Sequence, residues 1–502
     1  MPTTPATPPG ARIAVDLETV AVEASEPLAA YVALRDLVGA EQVFLLESLA
    51  GPIADTRESL AGVTGLLEVQ VHRSRVTFTG LPALVEAAGE VLERAGVTER
   101  HGDGQRLTSD EGLFDLPRVL DAAFDVERDP GRFGFGLLVF HGYDAVRYIE
   151  RLPRLIDDPP DPAPDAVFAL VRALVEIDLT EQTGRLTVAS SPGWPELDLA
   201  AVVAALEAPP TPLPEPDVPA PLAVTDDTTR DEFVAHAEQA LEHIRVGDIY
   251  QVQVGHAITV RTPVDELTVY RRMRRRNPSP YMSLLPIAGR VVVGASPELF
   301  LRLEGRTATM RPIAGTARRS GDAARDELAV ERLLSDPKER AEHVMLVDLC
   351  RNDMGRVSVP GSVSVDDFMV IESYSHLFHI VSSVSSTVRA EQDVYDLIRA
   401  SFPAGTMTGA PKVRAMEIIE RLETSRRGLY AGSFGLIGFG GWTILGLAIR
   451  MTVRTGSGED SAYVLRASAG VVADSTPDGE WAETLTKMGA AYWAVAGEEL
   501  IS

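Results

Sequence analysis

A proline-dense stretch at 206–221 constrains the fold of this chain most, because it interrupts the 502 residues near their middle. Its seven prolines remove backbone donors and favour an extended, semi-rigid connection over a helix or an inner strand. The length also exceeds one minimal core, which predicts two or three domains, or two large interleaved ones. We therefore predict an N-terminal domain at 12–205, a linker at 206–225 and a C-terminal domain at 226–499.

Segments with the patterns of strands and of helices alternate on both sides of this linker. Residues 68–78 predict two strands around a polar turn, and Pro82–Ala95 predicts an amphipathic helix with proline in its first turn. The remaining predicted elements are strands at Phe133–Val139, Ala166–Ile177, Ile249–Val260, Val291–Gly294 and Leu299–Leu303, a strand pair at Leu436–Val453, and helices at Thr229–Arg245 and Ala323–Leu349. Since the order lacks a strict β–α–β rhythm, we expect an α+β fold with large antiparallel sheets.

Composition excludes several classes of function. The formal net charge of −26 argues against binding to nucleic acid or to an anionic membrane, because both would repel such a surface. The single cysteine, Cys350, rules out an internal disulfide and a cysteine-rich metal site. The sequence contains no apolar run of about 18 residues and no signal-peptide pattern at its start, which predicts a cytoplasmic protein without a membrane span.

Two pairs of glutamates are the first candidates for chemistry. Glu339 and Glu342, and likewise Glu480 and Glu483, stand three residues apart in helical sequence, so the members of each pair share a helix face. If the two helices face each other, the carboxylates form a hard-oxygen site suited to Mg²⁺. The alternative is two solvated faces, because this spacing arises often by chance in a chain with 73 acidic residues.

Three further features allow either a functional or a structural interpretation. The small-residue segment 403–412 leads into a helix from Pro411, and it could bind an anion at the helix N-terminus or form only a capped loop. His379, in a predicted strand, could transfer protons or be a satisfied core residue. Arg450 is a charge inside an apolar strand pattern, so it needs an anionic partner, either a substrate carboxylate or a protein Asp or Glu.

The C-terminal half resembles the chorismate-utilising enzymes, and most closely the large subunit (component I) of anthranilate synthase. The matching stretches, in family order, are 312–316, 342–357, 376–382, 405–412, 469–475 and 480–484. The resemblance implies large antiparallel sheets in a sandwich-like core covered by helices. It also implies an N-terminal regulatory domain interleaved with the core and a C-terminal catalytic domain that binds chorismate.

The resemblance implies roles for individual residues. A Mg²⁺ ion would be held by Glu342 and Glu483, with Glu339 and Glu480 completing the shell directly or through water, and would hold the ring carboxylate of chorismate. His379 would transfer a proton in the elimination that releases pyruvate. Residues implied to bind the enolpyruvyl arm, to line the pocket or to lie near the metal are Gly315, Thr316, Thr406, Tyr430, Arg450, Ala469, Gly470 and Lys487.

Gln251 and Ala314 separate the branches of the family. Isochorismate and salicylate synthases carry a water-activating lysine where this chain has Gln251. Glutamine cannot act as that base, so ammonia is the implied nucleophile. Many aminodeoxychorismate synthases carry a nucleophilic lysine where this chain has Ala314, which argues against covalent addition there. Both residues imply that ammonia adds at C2 to give aminodeoxyisochorismate, and that pyruvate loss then gives anthranilate, as in tryptophan biosynthesis.

The chain departs from the family pattern on two neighbouring stretches. Ser468 stands where the family has glycine, in Arg466-Ala-Ser-Ala-Gly, and His256 stands where arginine is common, in Val252-Gln-Val-Gly-His. These departures leave open an aminodeoxyisochorismate synthase that stops before pyruvate is lost. An aminodeoxychorismate synthase and a catalytically silent, tryptophan-binding subunit are further alternatives.

Residues near 45–48 and 277–282 resemble the two segments that form the tryptophan feedback site of anthranilate synthases. The implied tryptophan-binding residues are Glu47, Ser48, Asn277, Pro280, Tyr281 and Met282, and the alternative is a turn followed by a core strand. Cys350 is predicted in mid-helix, not at the elbow of a glutaminase nucleophile, so the chain encodes no glutaminase. Ammonia would come from a separate glutamine amidotransferase subunit in a hetero-oligomer, or from solution.

Overall fold

A computed structural model describes residues 12–501 apart from 25, 52–55, 57, 103, 211, 216 and 374–376, so His376 of one family-like stretch lies outside the described residues. The helices are α1 Pro27–Val38, α2 Pro82–Arg94, α3 Gly112–Ala123, α4 Leu199–Glu207, α5 Arg230–Arg245, α6 Glu266–Arg276, α7 Ala323–Ser335, α8 Pro337–Gly355, α9 Val394–Ser401, α10 Lys412–Leu422 and α11 Pro477–Ala496.

The strands before the linker are β1 Ile13–Ala14, β2 Asp16–Val22, β3 Val43–Glu47, β4 Glu58–Val63, β5 Leu67–His72, β6 Arg75–Gly80, β7 Thr98–His101, β8 Gly104–Leu107, β9 Phe124–Asp125, β10 Gly136–His141, β11 Ala166–Leu170, β12 Ala173–Asp178 and β13 Thr183–Ser190. The strands after it are β14 Ala223–Asp226, β15 Gln251–Arg261, β16 Tyr281–Ile287, β17 Arg290–Ser296, β18 Leu299–Glu304, β19 Thr307–Met310, β20 Ile313–Arg318, β21 Ser364–Ser373, β22 Leu377–Thr387, β23 Gly409–Ala410, β24 Ser433–Gly438, β25 Thr443–Leu447, β26 Met451–Thr455 and β27 Ala462–Val471.

Two large antiparallel sheets contain almost all of these strands. Sheet I has the order β20-β22-β19-β18-β25-β24-β10-β11-β5-β6-β8-β7, with β21 paired to β22. Sheet II has the order β14-β15-β27-β26-β17-β16-β3-β4-β12-β13-β2, with β23 paired to β15. Both sheets take strands from both sides of the linker, because β10 pairs with β24 and β3 pairs with β16.

The two sheets pack face to face, and helices cover their outer faces. The shared core contains Phe44 and Tyr281 from sheet II and Phe140, Phe434 and Leu436 from sheet I. Helices α2, α3, α8 and α9 add apolar residues to the core outside sheet I, and α1, α6 and α11 do so outside sheet II. This arrangement buries one face of each helix and confirms the expected α+β fold with a sandwich-like core.

Two predicted strand segments cross between the sheets. Ala166–Ile177 was expected to be one strand, but it is β11 in sheet I followed by β12 in sheet II. Leu436–Val453 was expected to be a strand pair, but it spans parts of β24 and β25 in sheet I and β26 in sheet II. Both segments are buried on two faces, so their apolar residues run without the alternation that would mark a crossing.

Residues of the proline-dense stretch pack along α6 and α11. The guanidinium of Arg271 donates to the carbonyls of Leu213 and Pro214, and Val218 lies against Gly497 at the end of α11. The extended segment therefore packs against helices that follow it in the chain. No helix in the described part of the chain has the length and apolarity needed to cross a membrane.

Candidate active site

Helices α8 and α11 bring the two predicted glutamate pairs into one region. Helix α8 begins at Pro337 with Asp336 as its N-cap, whose carboxylate accepts from the backbone N–H of Lys338 at 2.8 Å and of Glu339 at 3.3 Å. This cap fixes the first turn, so Glu339 and Glu342 share the face that approaches α11. Glu480 and Glu483 lie in the first two turns of α11.

Glu483 of α11 lies close enough to Glu339 and Glu342 of α8 to affect the pKa of both. Burial raises the pKa of Glu342, and the negative charges of Glu339 and Glu483 raise it further. Burial, then Asp336 and Glu483, raise the pKa of Glu339, and burial with Glu483 raises that of Glu480. Oε2 of Glu480 is buried without a hydrogen-bond partner among the described residues. Mutual repulsion and an orphaned buried oxygen are what a hard divalent cation would relieve.

The carboxylates are not drawn into a tight ligand cluster. Within the described residues, the one group of at least three Asp, Glu, His or Cys side chains whose ligand atoms all lie within 4.8 Å is Asp226, Asp227 and His256. Both ring nitrogens of His256 are already engaged, by Asp226 at 2.8 Å and Thr484 at 2.9 Å. That group therefore anchors the start of α11, and the oxygens of the four glutamates are spaced more widely than this.

Gly315 and His379 lie on neighbouring strands beside this region. Gly315 has a φ of 62°, and a Cβ there would lie 3.0 Å from Oε2 of Glu339, so both backbone and space require glycine. Nδ1 of His379 lies 3.1 Å from the carbonyl of Gly315 and 3.1 Å from Oγ1 of Thr316. Burial lowers the pKa of His379 to about 4, so the ring is neutral near neutral pH. Gly315, Thr316 and His379 therefore form one bonded unit.

Arg450 is a half-buried cation beside Tyr430. It was predicted inside a strand, but it lies between β25 and β26 with a φ of 52°, and its carbonyl accepts from the N–H of Ala295. Burial lowers its pKa, while the nearby Tyr430 and Glu483 act in the opposite direction. Its guanidinium forms no hydrogen bond or ion pair with any residue that the structure describes. A carboxylate from outside the protein is therefore the partner that it lacks.

Strands β15 and β27 form the wall between these groups. Gln251 starts β15, and its Nε2 donates to Oε1 of Glu342 at 2.8 Å. Ala469 and Gly470 lie on β27, and a Cβ on Gly470 would come within 2.8 Å of Nε2 of Gln251. Lys487 of α11 donates to the carbonyl of Ser468 at 2.9 Å and pairs with Glu483 at 2.6 Å. Ser468 of β27 also lies 2.9 Å from the hydroxyl of Tyr430, so these two strands connect the glutamates to Tyr430.

Glu298 is a candidate functional residue that the sequence analysis missed. It lies between β17 and β18, is 8% exposed, and accepts from Oγ1 of Thr406 at 3.0 Å. Burial raises its pKa to about 8, against the smaller effects of Thr406 and Lys487. A carboxyl that holds its proton at neutral pH is suited to general acid catalysis. The signal in the sequence was a lone carboxylate between two apolar strands, in Ser296-Pro-Glu-Leu-Phe.

The small-residue segment 403–412 has a structural explanation. Nζ of Lys412 pairs with Oδ2 of Asp353 on α8 at 2.7 Å and donates to the carbonyl of Ser401 at 3.0 Å. The ammonium group of Lys412 therefore holds the loop against α8. The structure therefore favours a structural role for this loop, which presents Thr406, and Lys412 does not serve an anion site.

Five of the six residues predicted to bind tryptophan line a cleft between the two sheets. Glu47, Ser48, Pro280, Tyr281 and Met282 border this cleft together with aromatic residues of sheet I, and Asn277 lies outside the lining, as the C-cap of α6. Oγ of Ser48 donates to the carbonyl of Pro280 at 2.9 Å, which joins the two segments. The carboxylate of Glu47 is buried and accepts from the hydroxyl of Tyr270 and from Arg274.

Comparison with known proteins identifies the family. Residues 99–492 match the chorismate binding enzyme family. A 2-amino-4-deoxychorismate synthase of Streptomyces globisporus is 49% identical over 484 residues, which cover 96% of each chain. An anthranilate synthase component 1 of Haloferax volcanii is 41% identical over 94% of this chain and 91% of its own. The crystal structure of anthranilate synthase component I from Streptococcus pneumoniae has a TM-score of 0.68 and 28% identity, and covers 87% of this chain and 92% of that one. The chain therefore belongs to the chorismate-binding enzyme family and is similar in fold and sequence to the anthranilate synthase large subunits.

Proposed function

We propose that this protein adds ammonia to C2 of chorismate and releases the product, 2-amino-4-deoxychorismate (the aminodeoxyisochorismate named above), with its enolpyruvyl arm intact. The observation that carries the amination is Gln251, whose amide is bonded to Glu342 where a water-activating base would be needed for hydroxylation. An amide cannot take a proton from water at neutral pH, whereas ammonia needs no such activation. The relative that is 49% identical over nearly the full chain is named for this product, which supports the assignment.

The site holds chorismate through its two carboxylates. A Mg²⁺ ion held by Glu342 and Glu483, with Glu339 and Glu480 around it, would supply positive charge for the ring carboxylate. Arg450 binds the carboxylate of the enolpyruvyl arm, because its guanidinium has no partner of its own among the described residues. Two charged anchors at opposite ends of the substrate fix its ring between α8 and β27.

Glu298 provides the proton for the leaving group. The nitrogen–C2 bond forms as the ring double bonds shift and the C4–O bond breaks, and the oxygen leaves as water with the proton of Glu298. The raised pKa of about 8 keeps that proton available at neutral pH. Thr406, which donates to Glu298, fixes the orientation of the carboxyl.

Anthranilate formation is the second candidate, and His379 is the observation that favours it. Its neutral ring, bonded to Gly315 and Thr316, is a competent base for the C2 proton whose removal expels pyruvate. The two candidates share the amination and differ only in the fate of the arm.

A single incubation separates the candidates. With chorismate, Mg²⁺ and an ammonium salt at about pH 8, where about half of Glu298 is still protonated, we expect a non-fluorescent amino acid with the mass of chorismate plus ammonia minus water. Liquid chromatography with mass detection follows the product, and fluorescence follows anthranilate. Anthranilate as the main product would support the second candidate, and unconsumed chorismate would contradict both. Glutamine in place of ammonium should give no turnover until a separate glutamine amidotransferase is added.

The cleft between the sheets is proposed to bind an aromatic amino acid, with tryptophan as the first candidate. A carboxylate offers about four acceptor positions, so Glu47 retains capacity for an α-ammonium beside Tyr270 and Arg274. We expect saturating tryptophan to lower the initial rate several-fold and to raise Tm by a few degrees, since a ligand at 100 times its Kd stabilises by about 2.7 kcal/mol. Ser48→Leu, which fills the polar end of the cleft, should abolish both effects without changing the uninhibited rate. An unchanged rate and Tm in the unaltered protein would refute the assignment.

A further inference from the structure

Ser468, which departs from the family pattern, meets Gln253 across the β15–β27 pair. Ser468 lies opposite Gly255, and Gln253 lies opposite Gly470, so their side chains emerge on the same face two positions apart. Oγ of Ser468 donates to Oε1 of Gln253 at 3.1 Å. Ser468 is 1% exposed and Gln253 is 8% exposed, so water does not compete for this bond.

Ser468 also lies against the hydroxyl of Tyr430. The two oxygens are 2.9 Å apart, and Tyr430 is 6% exposed. A serine hydroxyl has one hydrogen, and Ser468 donates it to Gln253, so Ser468 must accept the hydrogen of Tyr430. The chain Tyr430 to Ser468 to Gln253 therefore consumes the only hydrogen that Tyr430 can donate.

Tyr430 lies beside the guanidinium of Arg450, which has no hydrogen-bond or ion-pair partner within the described ranges. With its hydrogen directed to Ser468, Tyr430 can offer only lone pairs toward the arm that Arg450 holds. A glycine at 468, as in the family pattern, would leave that hydrogen for the arm.

We infer that Ser468, supported by Gln253, is a specificity-determining residue that keeps the enolpyruvyl arm on the product; the inference rests on the proposed function. In the elimination, a base removes the C2 proton, and the electron pair of the C2–H bond forms the C2–C3 double bond. The C3–O bond then breaks, and its electron pair stays on the oxygen of the departing enolpyruvate. Donors directed at a developing negative charge accelerate such a step, and one donor is worth roughly 10²–10³ in rate. Ser468 removes the donor at Tyr430 and so slows arm loss without affecting amination at C2.

The test measures the ratio of anthranilate to 2-amino-4-deoxychorismate, which a purely structural role would not change. Ser468→Ala and Ser468→Gly should each raise that ratio at least tenfold, because both release the hydrogen of Tyr430. Adding Tyr430→Phe to Ser468→Ala should return the ratio to its original value, whereas Tyr430→Phe alone should leave it unchanged. Ser386→Ala removes a buried hydroxyl whose one hydrogen-bond partner among the described residues is Ser358, so it is the matched control and should have no effect.

The outcomes distinguish this inference from the proposed function. If the unaltered protein makes the amino acid and Ser468→Ala and Ser468→Gly leave the ratio unchanged, the inference is wrong and the proposed function stands. If the unaltered protein makes mainly anthranilate or fails to aminate chorismate, the proposed function is wrong, and the inference with it. Circular dichroism melting of each variant identifies any that fail to fold, and Ser468→Thr, which keeps a hydroxyl, should retain the original ratio.

Discussion

Replacing Glu342 by glutamine is expected to lower kcat for chorismate consumption by about 10³-fold, since a metal ion supplies several kcal/mol of charge stabilisation and about 4 kcal/mol corresponds to that factor. The carboxylate of Glu342 accepts a hydrogen bond from Gln251, and the negative charges of Glu339 and Glu483 raise its pKa. Its raised pKa means that its charge costs stability in the folded protein, so the neutral amide should leave Tm unchanged or raise it. Stopped-time assays with mass detection and thermal melts measure the two effects.

Asp348→Asn is the matched control for this substitution. It exchanges a carboxylate for an amide on the same helix, at a side chain that is 72% exposed and pairs with the exposed Arg351. Its kcat should stay within about twofold of the unaltered value, because an exposed pair is worth little. Full activity of Glu342→Gln would refute the metal assignment.

Replacing Glu298 by glutamine is expected to lower kcat by about 10²–10⁴-fold, the usual contribution of a positioned general acid. Glutamine keeps the volume and can still accept from Thr406, but it has no acidic proton for the C4 oxygen. The folded pKa of about 8 lies above the ordinary value of 4.5, so the carboxyl costs stability progressively as pH rises from 4.5 to about 8. The variant should therefore be at least as stable at neutral pH, which a thermal melt checks.

The pH dependence gives this prediction a second readout. Because the protonated form of Glu298 is the active one, kcat/KM calculated on the concentration of free ammonia should fall about tenfold per pH unit above about pH 8. The Glu298→Gln variant should lose this limb of the profile while its remaining activity stays nearly level. Glu304→Gln, an exposed substitution at the end of β18, should keep both the rate and the profile of the unaltered protein. An unchanged alkaline limb in Glu298→Gln would assign that ionisation to another group.

The sequence was informative wherever a residue's role depends on local spacing. Glu339 and Glu342 share a face because helical geometry fixes the offset, and the cap at Asp336 adds a local reason for the helix to begin there. The turn at Arg73 and Ser74, which both have positive φ, could be predicted because two polar residues stand between two segments with alternating apolar residues. The family motifs are short stretches of sequence, and their order can be read along the chain. The family could therefore be inferred without knowledge of the fold.

Properties that depend on distant contacts were not accessible in this way. The break between β11 and β12 occurs where Val171 and Arg172 carry the chain from one sheet to the other, and an apolar run buried on both faces gives no sign of it. The raised pKa of Glu298 arises from burial among residues far apart in sequence. Arg450 looked like a strand residue because apolar neighbours flank it, yet the strand is interrupted there by a left-handed backbone.

The central claim is that α8 and α11 direct their glutamates at one divalent cation beside bound chorismate. Crystals grown with chorismate and Mn²⁺, a Mg²⁺ substitute that scatters anomalously, test it directly. We predict one anomalous peak between the helices, with oxygens of Glu342 and Glu483 at about 2.1 Å and the ring carboxylate on the open side. A peak at Asp226, Asp227 and His256 with none between the helices, or glutamates turned to solvent beside bound chorismate, would contradict the account.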